Sequence, residues 1–364
     1  MNFWEGLKTK DKPIIGLSPM DGITDYPFRK MVTKYGKPDV TYTEFMCVDQ
    51  IFHAKNDLIS EFIYDETQRP IVAQVFGIDP ELFYISAQIV CELGFDGIDI
   101  NMGCPSKNVA GRGAGAGLIK NPELASRIIE STKKGIEDWI ENGVAKDFPA
   151  RVYKKLDATK LALLKLGVKI KSGEKSEYTQ RLAIPVSVKT RIGYVENEVD
   201  TWIPFLVKQD LSCIALHGRT YKQLYHGKAD WQAIGRAKEL IDSEYRSNPT
   251  ITKPLLLGNG DIQTLKNAHE LCNKYNTDGV LIGRSFLGKP WLLSAGLAEQ
   301  KLFDIILEHS KLQEEFDSKN FFRVRKHLAW YCKGFRGASE LRQQLVLSEN
   351  YENVNKILQN FLTR

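Results

Sequence analysis

Short apolar runs recur along the chain, and most of them are rich in β-branched residues. Each run is apolar on both faces, which is typical of a strand covered on both sides in a parallel sheet. Segments with helical spacing of apolar residues separate most of these runs. The eight predicted strands are residues 14–20, 39–45, 70–77, 97–103, 185–191, 213–219, 254–260 and 279–284.

The segments between the strands carry helix start and stop signals. Residues 79–94 begin with Asp-Pro and end with Gly, and residues 121–140 open with Asn-Pro. A capping residue, a proline at the first helical position and a closing glycine are typical of an α-helix. Eight strand–helix repeats therefore predict a TIM (β/α)8 barrel.

A doubly wound sheet is the alternative architecture. It usually has fewer strands and a GxGxxG motif after the first one. Here the first predicted strand ends in "SPMDG", which does not fit that motif. We therefore expect a barrel over residues 1–295.

One connection is longer than the others, with about 80 residues between the fourth and fifth predicted strands. Residues 146–181 look inserted there, and they contain ten Lys/Arg against four Asp/Glu. Part of this segment is predicted to be helical. A solvated helical hairpin and an element that contacts a polyanion both fit this composition.

The strand pattern stops after Pro290, and residues 300–364 are predicted to form a small helical domain. The last helix places one apolar set on one face: Val354, Ile357, Leu358, Phe361 and Leu362. Residues 323–342 have six Lys/Arg and one Glu, interleaved with Trp330, Tyr331 and Phe335. This mixture suits RNA, since cations meet phosphates and aromatic rings stack on bases. The alternative is an amphipathic helix with its aromatic rings buried.

Composition excludes several classes of protein. Hydrophobic residues make up 43% of 364 residues, which favours a globular protein over a disordered one. No apolar run approaches the roughly 18 residues of a membrane span, and the N-terminal segment lacks the apolar core of a signal peptide. We therefore expect a cytoplasmic protein without membrane association, and a monomer. A net charge of +5 is too small to identify a partner alone.

The six cysteines are not spaced as a zinc site or a redox pair. Cys91, Cys213 and Cys272 lie in predicted helices or strands, where we expect small core hydrophobes. No metal site is predicted.

Polar residues collect where the predicted strands end, which is the rim that carries the active site of a TIM barrel. Cys104 follows the fourth strand in "NMGCPSKNVAGRGAGAGLI". The glycines after it allow tight turns and close approach of the backbone. This run lacks the lysine-serine ending of a P-loop, so we interpret it as a loop that presents a thiol. A thiol there can act as a nucleophile or as a proton donor.

The ends of strands seven and eight are the usual phosphate site of this fold. Gly260, Gly283 and Arg284 suit a mononucleotide phosphate, while Lys189 and His217 would point at a cofactor ring or substrate. A cation near the pyrimidine edge of a flavin stabilises its reduced anion. These residues alone do not separate flavin mononucleotide from another phosphorylated cofactor.

The chain closely resembles the tRNA-dihydrouridine synthases, nearest to the bacterial B type. The resemblance runs from about residue 14 to 295 and continues into the helical tail. It rests on "SPMDGITDYPFR", "QVFG", "DINMGCPSK", "VKTRIG", "HGRTYKQLYHGKADW", "GNGDI", "IGRSFLGKPW" and "RKHLAWYCKGFRGASELR". It implies an enzyme that uses FMN and NADPH to reduce uridine to 5,6-dihydrouridine in tRNA, with residues 300–364 binding the tRNA.

The resemblance also implies roles for individual residues. Cys104 would be the proton donor. Cofactor contacts are implied for Pro19, Met20, Asp21, Gln74, Lys189 and His217, ribityl and phosphate contacts for Asn259, Gly260, Asp261, Gly283 and Arg284, and uracil contacts for Asn101, Arg191 and Arg219.

Two other functions fit parts of the sequence. An FMN barrel that acts on a free pyrimidine explains the cofactor residues and the cysteine but not the basic tail. A non-catalytic tRNA-binding protein explains the tail but not the set of polar residues at the strand ends.

Overall fold

A computed structural model describes residues 2–8, 12–53, 59–170, 181–294 and 301–363. These residues group into two compact units. One comprises Met1–Pro19 and Asp39–Ile282, and the other comprises Met20–Pro38 and Gly283–Arg364. The boundary expected between residues 295 and 300 lies outside the described residues, and so does part of the predicted insertion, residues 171–180.

The first unit is built on eight parallel strands in the order β1-β8-β7-β6-β5-β4-β3-β2. The strands are β1 (Ile14–Leu17), β2 (Thr41–Cys47), β3 (Ile71–Phe76), β4 (Gly97–Met102), β5 (Val186–Arg191), β6 (Cys213–His217), β7 (Leu255–Asn259) and β8 (Gly279–Ile282). Each one lies within a predicted strand or within two residues of its end. The expected TIM barrel is confirmed.

The barrel closes between β1 and the residue before β2. Gly16 and Val40 form a parallel bridge, and the Leu17 N–H donates to the Val40 carbonyl at 3.0 Å. A Cβ on Gly16 would lie 2.5 Å from the Leu281 side chain and 2.8 Å from that of Val40. The chain therefore needs glycine where the two edges of the sheet meet.

The helices of this unit are α1 (Phe3–Lys8), α3 (Val48–His53), α4 (Pro80–Glu92), α5 (Lys107–Ala110), α6 (Pro122–Asn142), α7 (Ala150–Lys165), α8 (Val199–Val207), α9 (Trp231–Ser247) and α10 (Leu265–Tyr275); α2 belongs to the second unit. The predicted start signals are confirmed for two of them. Asp79 caps α4 by accepting from the Glu81 N–H, and Asn121 caps α6 by accepting from the Leu124 N–H.

Helix α1 packs at the N-terminal ends of the strands. Its Trp4 and Leu7 join a buried cluster with Ile14, Tyr42 and Leu255, which lie at the beginning of β1, β2 and β7. Trp4 is 2% exposed. The apolar side chains therefore seal this end of the barrel. The cysteines Cys91, Cys213 and Cys272 are buried as expected.

Helix α7 lies inside the predicted insertion and is anchored to the barrel unit. The Lys155 ammonium donates to the carbonyls of Gln50 and Ile51 at 2.9 and 2.8 Å, at the C-terminal end of α3. Lys155 is 3% exposed. The Thr159 hydroxyl accepts from the Ile59 N–H at 3.1 Å. One face of the helix is thus part of the core, and the basic composition of the segment is carried by its other residues.

The second unit is helical, as predicted, and also contains residues 20–38. Its helices are α2 (Tyr26–Tyr35), α11 (Leu302–Asp317), α12 (Arg325–Tyr331), α13 (Ala338–Leu345) and α14 (Tyr351–Leu362). Tyr35 and Lys34 of α2 both donate to the Glu308 carboxylate of α11, at 2.6 Å. This pairing explains why α2 groups with the tail and not with the barrel that precedes it in the chain.

Of the three aromatic residues singled out in the basic segment 323–342, Tyr331 and Phe335 contact the core of this unit, and Trp330 is half-buried. Tyr331 is 2% exposed, and Phe335 packs against the same core. Tyr331 is therefore not available for stacking on bases. On α14, Val354 and Leu358 are buried as expected, whereas Leu362 is 61% exposed because it lies in the last turn of the helix.

A buried polar cluster lies in the core of the helical unit. One carboxylate oxygen of Asp25 and one ring nitrogen each of His309 and His327 lie within 4.8 Å of one another. Three cations influence the Asp25 carboxylate, namely Arg29, Arg323 and Lys326. A divalent cation would add to this positive charge in a desolvated place, which is strongly unfavourable. The local charge thus argues against a metal at this cluster.

The histidines of this cluster are held neutral. Burial, with a smaller effect of Lys326, lowers the pKa of His309 to about 3, and burial lowers the pKa of His327 well below its usual value. The unfolded chain, with a histidine pKa of about 6.5, therefore binds more protons than the folded chain in mild acid. The contribution of these two histidines to folding stability is fully present above pH 6.5 and falls as the pH decreases.

We expect each of the two histidines to remove about 1.4 kcal/mol of stability per pH unit below about pH 6.5. Thermal and urea unfolding of the full chain between pH 7 and pH 5 measure this. His327→Phe should reduce the pH dependence by about half, and the exposed His53→Gln should leave it unchanged. Equal slopes in wild type and His327→Phe would contradict the assignment.

Candidate active site

Strand register aligns the predicted polar residues at the C-terminal end of the barrel. Asn101 of β4 pairs with Lys189 of β5, Arg191 of β5 pairs with His217 of β6, and His217 pairs with Asn259 of β7. Partners in neighbouring parallel strands point to the same side of a sheet. The fold therefore brings these five residues together, as the sequence predicts.

Cys104 lies two residues beyond β4 in a turn that is held by a side chain. Its N–H donates to the Asn101 Oδ1 atom at 2.8 Å, and the Gly103 N–H donates to the same oxygen at 3.0 Å. The residue is 9% exposed. The thiol is thus attached to a defined backbone turn at the rim.

The glycines after Cys104 have a steric reason. Gly115 has a φ of +55°, and a Cβ there would lie 3.1 Å from the Cys104 Cβ and 2.9 Å from the Val109 side chain. The Ala116 N–H also donates to the Cys104 carbonyl. The loop therefore folds back directly against the cysteine, and only glycine allows that approach at residue 115.

Lys189 is a half-buried cation at this rim. Burial, assisted by the nearby Arg191 charge, lowers the pKa of its ammonium group to about 8, while Asp99 and Cys104 act in the opposite direction. Lys189 is therefore mostly protonated at pH 7 and loses its charge above pH 8.

Arg191 joins two loops of the rim. Its guanidinium donates to the Gly103 carbonyl at 2.7 Å, beside the thiol, and to the carbonyls of Thr220 and Leu224 at 3.0 and 3.2 Å. It is 2% exposed. Burial lowers the pKa of this guanidinium to about 10. These contacts couple the Cys104 turn to the loop after β6, and the implied contact with uracil stays a prediction.

Arg219 is also committed to protein partners. It donates to both carboxylate oxygens of Asp261 at 2.8 and 2.7 Å and to the Gly227 carbonyl at 2.7 Å. One of its nitrogens lies 3.3 Å from His217 Nε2. Asp261 and Gly260 both have positive φ, +55° and +127°. Arg219 thus neutralises Asp261 and fixes the turn after β7 next to His217; direct contact with uracil stays a prediction.

A chain of buried hydrogen bonds runs through the strands beneath the rim. The Ser187 hydroxyl donates to Asp99 at 2.6 Å, Gln74 Nε2 donates to Asp99 at 2.7 Å, and Asn101 Nδ2 donates to Gln74 Oε1 at 3.0 Å. Asp99 and Ser187 are functional candidates that sequence reasoning missed. The available signal was that Asp99 and Asn101, two residues apart, face the same side of β4.

The family profile named Dihydrouridine synthase (Dus) matches residues 16–143 and 175–364. The chain belongs to the dihydrouridine synthase family.

Two curated relatives match the chain over nearly their full length. The "Probable tRNA-dihydrouridine synthase" of Staphylococcus aureus (strain COL) is 31% identical, with 99% of this chain and 95% of that protein covered. The "Probable tRNA-dihydrouridine synthase 2" of Bacillus subtilis (strain 168) is 31% identical, with 99% and 96% covered. The solved old yellow enzyme homologue of Zymomonas mobilis (NCR) is 12% identical, with a TM-score of 0.38 over 80% of this chain and 88% of that chain.

The remaining predicted cofactor residues of this dihydrouridine synthase family member follow β1 and β8. Pro19 ends the first segment of the barrel unit. Met20 accepts from the N–H groups of Ile23 and Thr24 in a turn that precedes α2. Asp21 and Arg284 are exposed, and Gly283 is half-buried at the start of a 3-10 helix, Arg284–Phe286. Their contacts with a cofactor stay predictions.

A cavity of about 810 Å³ lies at the opposite end of the barrel unit. Asp96, Val186 and Ser212 line it at the N-terminal ends of β4, β5 and β6. None of the predicted site residues of this dihydrouridine synthase family member borders it. The cavity is therefore separate from the candidate active site.

Proposed function

We propose that this protein reduces uridine to 5,6-dihydrouridine in tRNA, with FMN as cofactor and NADPH as the source of electrons. The observation that carries the proposal is the register alignment of Asn101 with Lys189 at the strand ends, two residues from the Cys104 turn. Family membership supports it, and both relatives described above are named for this reaction.

The rim has the donor set that the pyrimidine edge of a flavin requires. Lys189 supplies a half-buried ammonium group, and a cation there favours an anionic reduced ring. The Gln74 amide donates to Asp99 and accepts from Asn101, and it is 0% exposed, so its contact with a ligand stays a prediction. These residues fit the group, and the bound flavin would supply hydride chemistry.

The chain's own residues would complete the reduction. Cys104 would give a proton to carbon 5 of uracil. Lys189 and Arg191 act on the charge at the Cys104 sulfur, so the thiolate that remains after proton transfer is stabilised by two nearby cations. Asn101 keeps one N–H for a uracil carbonyl.

The substrate has to reach a thiol that is largely covered by its own loop. A uracil inside a base-paired helix cannot do this without leaving its stack. Unpaired uridines in RNA loops cost the least to extrude. The proposed substrate is therefore a loop uridine of tRNA, in a cytoplasmic enzyme that acts as a monomer. Within the described residues, no helix has the length and apolar character needed to cross a membrane.

The test is nucleoside mass spectrometry of an unmodified tRNA transcript after incubation with the purified protein and NADPH. We expect a bound flavin of the mass of FMN and dihydrouridine at defined positions. Free uracil as substrate tests the alternative of a free-pyrimidine reductase. A flavin-loaded protein that reduces free uracil but no tRNA would overturn the proposal, and a protein that binds tRNA without flavin would favour the non-catalytic alternative.

We further propose that the segment around α7 extends the RNA-binding surface. Lys154, Lys165 and Lys169 are exposed there. Deleting the segment would also remove the buried Lys155 and Thr159 contacts, so charge neutralisation is the better test. Replacing the three lysines with Gln should weaken tRNA binding and reduce the salt slope of log K by up to about 3.

The matched control is a Gln triple at Lys208, Lys266 and Lys274, which are equally exposed on the same unit. Binding constants at several salt concentrations measure both triples. Identical salt slopes in the two triples would reject the RNA-contact role of this segment and favour a solvated helix.

A further inference from the structure

We propose that Asp99 is a positioning residue that orients the Gln74 and Asn101 amides and thereby holds the turn that presents Cys104. Asp99 touches neither the thiol nor the outer rim, and it acts through two intervening side chains. Its importance for catalysis rests on the proposed function, but its effect on the Cys104 turn does not.

The Asp99 carboxylate fixes the direction of each hydrogen bond between Asp99 and the Cys104 turn. Burial raises the pKa of Asp99 to about 6, so the carboxylate is mostly ionised at pH 7. An ionised carboxylate only accepts, so Gln74 has to turn its Nε2 toward Asp99, at 2.7 Å. Its Oε1 then faces Asn101 and accepts from Nδ2 at 3.0 Å. Asn101 Oδ1 is consequently left facing the N–H groups of Gly103 and Cys104.

Burial makes this orientation obligatory. Asp99 and Gln74 are both 0% exposed, and Asn101 is 6% exposed. Rotating either amide would set oxygen against oxygen or N–H against N–H, where water cannot compensate for the lost hydrogen bond. Ser187 completes the arrangement by donating to the other carboxylate oxygen at 2.6 Å.

Asp99 acts on the rim in a second way, through its charge. It opposes the effects of burial and of Arg191 on Lys189 and so helps to keep that ammonium group protonated. Position and charge can be separated by substitution. In Asp99→Asn the new amide can accept from Gln74 through its oxygen and donate to Ser187 through its nitrogen, so the orientation is kept and the charge is lost.

The experiment is the alkylation rate of Cys104 by iodoacetamide in the full chain, measured by peptide mass spectrometry without substrate. Asp99→Leu removes the acceptor and should raise the rate about fivefold, the change in local opening that one lost net hydrogen bond produces. Asp99→Asn should stay within twofold of wild type. The control Ser86→Ala removes a buried hydroxyl of α4 that donates to the Leu82 carbonyl, outside this series of hydrogen bonds, and it should also stay within twofold.

A second variant covers the case that Asp99→Leu does not fold. Gln74→Met keeps a similar side-chain length and removes the amide that links Asp99 to Asn101. It should therefore raise the alkylation rate of Cys104 as Asp99→Leu does. The pH profile of turnover supplies a further signature. Asp99→Asn should move the alkaline limb to lower pH, because Lys189 loses the charge that raises its pKa.

Wild-type alkylation rates in folded Asp99→Leu or Gln74→Met would overturn the proposal. A rate increase in Asp99→Asn as large as in Asp99→Leu would show that charge, not orientation, controls the turn, and would also overturn it. Absence of dihydrouridine together with the expected alkylation pattern would refute the proposed function and leave the positioning role intact.

Discussion

Cys104→Ala should lower the rate of dihydrouridine formation by about 10² to 10⁴, the usual contribution of a positioned proton donor. The methyl side chain fits the covered position beside Gly115, so we expect flavin content and thermal stability to stay close to wild type. Single-turnover mass spectrometry of a tRNA transcript measures the rate.

Cys91→Ala is the matched control for thiol loss. Cys91 is a buried cysteine of α4 and lies outside the rim, so its removal should leave turnover within about twofold. A Cys104→Ala enzyme that retains a third or more of wild-type turnover would remove Cys104 from the role of proton donor.

Lys189→Met should reduce turnover at pH 7 by about 10² to 10³, the typical effect of losing one group that stabilises developing charge. Methionine keeps the length of the stem and removes the ammonium group. Because Lys189 has a pKa of about 8, the wild-type rate should fall as the pH rises through 8. That alkaline limb should be absent in the variant.

The exposed Lys266→Met provides the control, since its side chain is 88% exposed in the same unit. Rates from pH 6 to pH 10 on one tRNA transcript measure both variants. If Lys189→Met keeps the wild-type alkaline limb, another group is responsible for it.

The strands and most helices of the barrel could be predicted because their signals are local. Asp79 and Asn121 are caps whose side chains bond within three residues, and the strands are apolar runs bounded by Gly or Pro. The grouping of α2 with the helical tail could not be predicted in this way. It depends on Tyr35 and Lys34 meeting Glu308, more than 270 residues away, and local pattern contains no information on such a contact.

In the candidate site, too, local features could be predicted and long-range contacts could not. The positions of Asn101, Lys189 and His217 at strand ends were predictable, because strand ends of a barrel share one rim. The partners of their side chains were not. Arg191 and Arg219 look like substrate ligands by position alone, and the structure uses both to hold loops.

Residues of the basic tail were harder to interpret, since an alternation of cations and aromatic rings fits two arrangements. Tyr331 and Phe335 fill the helical core, so the apolar part of that pattern serves packing. Burial depends on which face of a helix meets another element, and that is decided by tertiary contacts.

The Trp4 and Leu7 side chains close the N-terminal end of the barrel, and this determines how ligands can reach its interior. A barrel that is closed at its N-terminal end can be entered only from its C-terminal end. The electron donor and the nucleobase of the proposed reaction would both reach the candidate site from the C-terminal rim.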